Sequence, residues 1–347
     1  MQQINSYDKP RTLYFDILRF LACCLVILTH SAMPAVNLAH GPFYTFFSTL
    51  AVPSSELFLC ISGAILLPIS KPAPEFLRAR FTKLLYPVVF WSVITSFFFY
   101  VYGEYGIREA LLRLIFIPVK PVHGVYWFVY AICGLYLIAP FVSKWLIQAT
   151  KKELQLFLLL WGITLIYPIL NYFIPDFYDL DGSYYNMFAN FGGFIGYMIL
   201  GVYLRKYPIE LKGGAVPMLL LNIAITTILF SVILICKLKD IDTSILTDNL
   251  SLFSAIAVVN IFTLGQTICK FNRVKRLTPF FSKFAKYSFG IYLCHMIVIR
   301  CFWLLFADFR LHPIIETPLI CLLSVFVAFC VVRLISKLPF SKFIVGI

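Results

Sequence analysis

The chain has 347 residues, of which 61% are hydrophobic and 13% charged, with a net charge of +13 and a mean hydropathy of +0.89. Soluble domains carry about 25% charged residues, so this composition excludes a soluble globular protein. It points instead to an integral membrane protein, and the basic balance gives no reason to expect a nucleic-acid partner.

Apolar runs of about 20 residues recur along the whole length, each able to cross a hydrocarbon core of about 30 Å. In chain order they place spans at 13–34, 49–69, 84–103, 124–143, 154–174, 187–204, 215–236, 249–269, 286–307 and 314–335. The expected fold is an all-α polytopic membrane protein of about ten helices, with a short N-terminal segment 1–12, a transmembrane domain 13–335 and a tail 336–347. With the N-terminus in the cytoplasm, the inside segments are 1–12, 70–83, 144–153, 205–214, 270–286 and 333–347. They hold 21 Lys and Arg against 4 acids, whereas the outside segments, with Glu316 at the outer end of the last span, hold 6 bases against 10 acids. Such a bias puts both termini in the cytoplasm and explains most of the net charge. A multi-pass plasma membrane protein is expected, in a bacterial inner membrane. The first span is too long for a cleaved signal peptide and lacks a small-x-small cleavage site. All ten cysteines fall within or at the ends of spans, where they read as packing side chains. No internal repeat of the inverted-repeat transporter kind is visible.

Polar side chains inside spans are costly, at least about 2.5–3.5 kcal/mol for a charge, so they mark the places to look for function. In the first span Asp16 and Arg19 are three apart and can pair on one face. Arg19 and His30 are eleven apart, which returns to nearly the same face after a rise of about 16 Å. Cys23 and Val26 lie on that stripe between them. A guanidinium near one surface and an imidazole near the other thus share a stripe. The bland alternatives are snorkelling for Arg19 and a packing hydrogen bond for His30. Glu56, in the second span, lies at a depth compatible with His30, and a carboxylate beside an imidazole fixes its tautomer and raises its basicity. Arg78-Ala79-Arg80-Phe81-Thr82-Lys83 is basic and helical in pattern; it either grips phosphates or is ordinary inside charge. Arg273-Val274-Lys275-Arg276 carries the same ambiguity. Tyr126 and Trp127 sit where an aromatic belt is expected. His123, His40 and His312 lie in outer loops, where a histidine is cheap. His295 lies near mid-membrane with Arg300 further out, facing a polar cavity or packed in the bundle.

Five of these segments, in this order and spacing, resemble the acyltransferase family 3 membrane proteins. They are Arg19-x10-His30; Tyr14-Phe15-Asp16-Ile17-Leu18-Arg19-Phe20-Leu21-Ala22; Glu56-Leu57-Phe58-Leu59-Cys60-Ile61-Ser62-Gly63, with Leu59 in place of an aromatic; Tyr126-Trp127-Phe128-Val129-Tyr130 followed by Gly134-Leu135-Tyr136-Leu137 and Pro140; and Ser288-x-Gly290-Ile291-Tyr292-Leu293-x-His295, while the family's Arg-x-x-Arg is only approximated, by Arg80-x-x-Lys83. The resemblance covers about residues 11 to 300. It implies an O-acyltransferase of the stand-alone type, taking an acyl group, usually acetyl, from cytoplasmic acyl-CoA to a hydroxyl of a surface polysaccharide or lipid-linked glycan. His30 is the expected base or nucleophile, oriented by Glu56. Arg19, Arg80 and Lys83 are expected on acetyl-CoA or another acyl-CoA. Trp127, Tyr292 and His295 are expected near the acceptor or the oxyanion, and no metal is expected. The alternative of another class is a transporter or flippase for a polysaccharide or lipid-linked intermediate. Oligomeric state is not legible in the sequence.

Overall fold

The structure is a computed structural model that describes residues 12–32, 46–47, 50–166, 169–170, 174, 191–239, 241, 243–306 and 311–346. The N-terminal segment 1–11, His40, and the expected span ends 33–34, 49, 171–173 and 187–190 lie outside the described residues. In chain order the principal helices are α1 (Leu13–Ser31), α2 (Ser54–Leu66), α3 (Ala73–Val101), α4 (Ile107–Ile115), α5 (Trp127–Gln148), α6 (Lys151–Thr164), α7 (Ile195–Lys206), α8 (Ala215–Leu238), α9 (Leu252–Ile268), α10 (Thr278–Phe306) and α11 (Pro313–Ile335). No strand occurs among the described residues. Each of the ten expected spans overlaps one of these helices. Among the described residues, α1, α3, α5 with its preceding turn, α8, α10 and α11 are long and apolar enough to cross a membrane. The protein is an all-α polytopic membrane protein.

Two boundaries differ from the hydrophobicity pattern for physical reasons. α3 starts at Ala73 rather than near 84, because Pro74 favours a helix start there and the basic stretch Arg78–Lys83 extends the helix beyond its apolar part. α4 was not expected at all. It is a short amphipathic helix in the 104–123 loop, held by Arg113, which pairs with Glu109 at 2.7 Å and donates to the Val122 carbonyl at 2.8 Å. Between α5 and α6 the chain turns sharply at a capping box. Thr150 Oγ1 accepts from Glu153 N at 3.3 Å, and Glu153 Oε2 accepts from Thr150 N at 2.7 Å.

α1 packs chiefly on α10, and also on α2, α9 and α11. Three contacts tie α1 to α10 at successive heights. Ser282 Oγ donates to Asp16 Oδ2 at 2.8 Å, Cys23 Sγ meets the Ser288 carbonyl at 4.0 Å, and the rings of His30 and His295 lie 5.2 Å apart. The sequence offset stays at 265–266 throughout, so α1 and α10 run parallel. The Arg19–His30 stripe expected from helical periodicity is therefore the face turned to α10.

α2 and α7 pack closely because glycines face each other's backbones. A Cβ on Gly63 would lie 2.1 Å from the Met198 carbonyl oxygen, and one on Gly201 would lie 1.9 Å from that of Cys60. α8 and α9 are clasped by Asn222, whose Nδ2 donates to Asn260 Oδ1 at 2.8 Å and Thr263 Oγ1 at 2.9 Å, while Asn260 Nδ2 donates to Thr226 Oγ1 at 2.9 Å. Buried polar pairs of this kind satisfy groups that lipid cannot. Near the C-terminus, the turn Lys342–Val345 packs on α3, where Trp91 Nε1 donates to the Ile344 carbonyl at 3.0 Å.

Candidate active site

Two cavities approach each other inside the helix bundle. The first, of about 800 Å³, is lined by Arg19, Arg80 and Lys83, so the three cations expected to hold the donor share one space. Arg205 and Lys286 line it as well, although their positions read only as inside charge in the sequence. Arg205 is fixed by donating to the Ala64 carbonyl and, at 2.9 Å, to the Leu67 carbonyl, which satisfies the C-terminal end of α2. Asp16 is the only carboxylate among the described lining residues. It is 1% exposed, accepts from Ser282, and lies 3.8 Å from Arg19 Nη1. With five cations and one carboxylate, this basic cavity is suited to a polyanion. The Arg273–Arg276 segment does not line it.

The second cavity, of about 590 Å³, is lined by His30 and Trp127, together with His123, Glu104, Arg300 and Trp303. His123, dismissed above as a loop residue, folds inward. Its ring stacks on Phe99 with centroids 4.9 Å apart and planes 15° apart, and its Nδ1 accepts from Val125 N at 3.4 Å. Burial pushes the His123 imidazole below its usual range; Glu104 opposes this, and Arg113 and Arg300 reinforce it. With Nδ1 accepting, the proton of the neutral ring sits on Nε2.

A thin partition separates the two spaces. Tyr126 Oη donates to the Leu293 carbonyl at 2.6 Å and lies 2.9 Å from Thr95 Oγ1, while Tyr292 Oη donates to the Val125 carbonyl. These reciprocal bonds lock the start of α5 to the middle of α10. Phe128 and Tyr292 face the basic cavity, and Val125 and Trp127 face the histidine cavity. The Tyr292 hydroxyl proton is thus committed to a backbone carbonyl, which leaves none for the oxyanion in this arrangement. His295 is fully buried beside the partition, against the His30 ring. Its Nδ1 bonds to the Tyr292 carbonyl, so Nδ1 carries the proton, and Nε2 is a buried lone pair with no hydrogen-bond partner.

Glu56 is fully buried, but it accepts its hydrogen bond from Ser55 Oγ at 3.0 Å rather than from His30, and its Oε2 has no partner. Its electrostatic neighbours include Asp248 and Tyr197. The azimuth of α2 explains this placement. Glu56, Cys60 and Gly63 lie at i, i+4 and i+7 on one face, and that face is pressed against α7 by the Gly63–Met198 and Cys60–Gly201 approaches. Depth alone had suggested a direct His30–Glu56 pair.

The model of the acyltransferase domain of family 3 matches residues 12–333. The chain belongs to this acyltransferase family. The match takes in the partition and every lining residue of both cavities except Gly346, so the protein is a membrane acyltransferase. No curated protein and no solved structure matches the chain.

Proposed function

We propose that this acyltransferase moves an acyl group, acetyl in the first instance, from cytoplasmic acyl-CoA to a hydroxyl of an extracytoplasmic glycan or glycolipid. The observation that carries the reading is the meeting of a basic cavity and a histidine cavity across one hydrogen-bonded partition. The charge bias of the loops puts the basic cavity on the cytoplasmic side, where coenzyme A is found. Arg19, Arg80 and Lys83, joined by Arg205 and Lys286, hold the nucleotide and diphosphate. The thioester arm extends past Tyr292 to His30.

His30 then acts as general base. It takes the proton of the acceptor hydroxyl as the oxygen attacks the thioester carbonyl; the C–S bond breaks, and the proton passes to the departing thiolate to give free CoA. A route through an acyl-imidazole on His30 uses the same groups in two steps. Glu56 acts on His30 only indirectly, through the packing of α2 against α1. The His295 Nε2 lone pair and Trp127 position the groups around His30. The acceptor is a sugar of a surface polysaccharide or lipid-linked glycan. In this reading the chain works like the O-acetyltransferase acting on enterobacterial common antigen, in an inner membrane.

The test is to reconstitute the purified protein and follow CoA release and acetyl transfer from acetyl-CoA. Acetyl-CoA-dependent transfer to a membrane glycolipid is expected. Movement of a glycolipid across the bilayer with no acyl-CoA dependence would overturn the reading in favour of a flippase.

A further inference from the structure

The histidine cavity holds a feature that acyl transfer at His30 does not require. Arg300, near the end of α10, is held between two aromatic faces, 5.1 Å from the Tyr102 ring centroid and 5.2 Å from that of Trp303. Its Nη2 pairs with Glu104, which follows α3 and is 196 residues away in sequence. Such a guanidinium is rigid: stacking fixes its plane and the carboxylate fixes its rotation. Two of the N–H groups in this cluster are nevertheless idle. Arg300 Nε and Trp303 Nε1 are both buried atoms with no hydrogen-bond partner. Buried donors without partners are costly and mark places where something else supplies the acceptor atoms. Both residues line the same cavity as His30 and Trp127.

The charge of this space narrows the ligand. Glu104 and Arg300 cancel each other, and burial disfavours the charged form of His123. The remaining wall beyond His30 is apolar and largely aromatic, from Phe99, Trp127 and Trp303 with Val125 and Met296. An uncharged ring with apolar C–H faces and oxygen acceptors on its rim matches all three features.

Building on the proposed function, we infer that Arg300 and Trp303 form an acceptor-recognition shelf for an uncharged sugar ring, with Arg300 Nε and Trp303 Nε1 donating to its oxygens. The shelf selects against sugars bearing a carboxylate, because its one cation is already paired. Glu104 is the positioning residue that holds the guanidinium.

The test uses the full chain in lipid nanodiscs with two probes, octyl β-glucoside and octyl β-glucuronide. Saturation-transfer NMR should show transfer to the ring protons of the glucoside and much less to those of the glucuronide. With acetyl-CoA as donor, Trp303→Phe keeps the ring but loses the N–H, and should raise the KM for the glucoside about tenfold while leaving the KM for acetyl-CoA unchanged. A paired Glu104→Gln, Arg300→Gln variant leaves no stranded charge and should do the same. The inference is overturned if the glucuronide is preferred, if neither variant changes the contact or the KM for the glucoside, or if the glucoside gives no ring-proton transfer. If acetyl-CoA is neither bound nor cleaved while the glucoside still contacts the shelf, the acyltransfer reading falls and the shelf stands.

Discussion

The two cavities differ in chemistry more than in size. The basic cavity gathers five cations around one carboxylate, drawn from α1, α3, α7 and α10. In the histidine cavity one ion pair cancels itself against an aromatic wall. A polyanion fits the first and an uncharged, oxygen-rich ring fits the second. The partition between them is made of backbone carbonyls and tyrosine hydroxyls, which hold the helices together without adding charge. The contrast teaches that one bundle can offer two solvents to one reaction, provided that a single helix reaches both. α1 does so, with Arg19 at one end and His30 at the other.

Breaking the contrast at its His30 end should have the largest effect. His30→Ala is expected to lower kcat by about 10²–10⁴-fold, the usual contribution of a general base, with acetyl-CoA binding unchanged. Kinetics with saturating donor check this. At the other end, Arg19→Ala and Arg80→Ala should each raise the KM for acetyl-CoA by about 10–100-fold, since hydrogen bonds to charged groups contribute about 1.5–3 kcal/mol. The KM for the acceptor should not move. Titration at two salt concentrations sharpens the point, because the donor affinity should fall with salt and the acceptor affinity should not. Glu56→Gln should lower kcat only about tenfold, the loss of one hydrogen bond of about 1.4 kcal/mol, because Glu56 bonds to Ser55 and not to His30. A loss as large as that of His30→Ala would mean that the carboxylate pairs with the imidazole during turnover.

Much of this arrangement was legible in the chain itself, and the rest was not, for geometric reasons. Helical periodicity orders residues within one helix, so Arg19, Cys23 and His30 were assigned a common face before any neighbour was known, and all three contribute to the α10 side or its cavities. Loop charge likewise anticipated that Arg80 and Lys83 would share an end with Arg19. Periodicity does not set the azimuth of one helix against another. The rotation of α2 follows from the small residues that let it press on α7, and Gly63 and Gly201 were the available clue. Arg205 and Lys286 were hidden among charges that looked merely topological. His123 was hidden because an inward fold of the 104–123 loop leaves no hydrophobic period; its position just before the Gly124 turn was the only local sign.

Two smaller tests probe the partition and its rim. Tyr126→Phe removes one of the reciprocal bonds and should lower stability by about 1 kcal/mol while raising acceptor-independent hydrolysis of acetyl-CoA, as water reaches the junction. His123 supplies a pH test. Its pKa is lowered in the folded state, so the unfolded state binds more protons in the window below pH 6.5. Stability should therefore rise with pH up to about 6.5, the ordinary histidine value, and level off above it. In His123→Phe this acid-side slope should flatten, which thermal unfolding across pH 5–8 would show.

The central claim is that donor and acceptor meet from opposite cavities at His30. Its most direct test places impermeant acetyl-CoA outside proteoliposomes and an impermeant glycoside in the lumen. Acetyl transfer across the bilayer is expected from the wild-type chain and not from His30→Ala. Transfer only to a glycoside on the acetyl-CoA side, or normal transfer by His30→Ala, would contradict it.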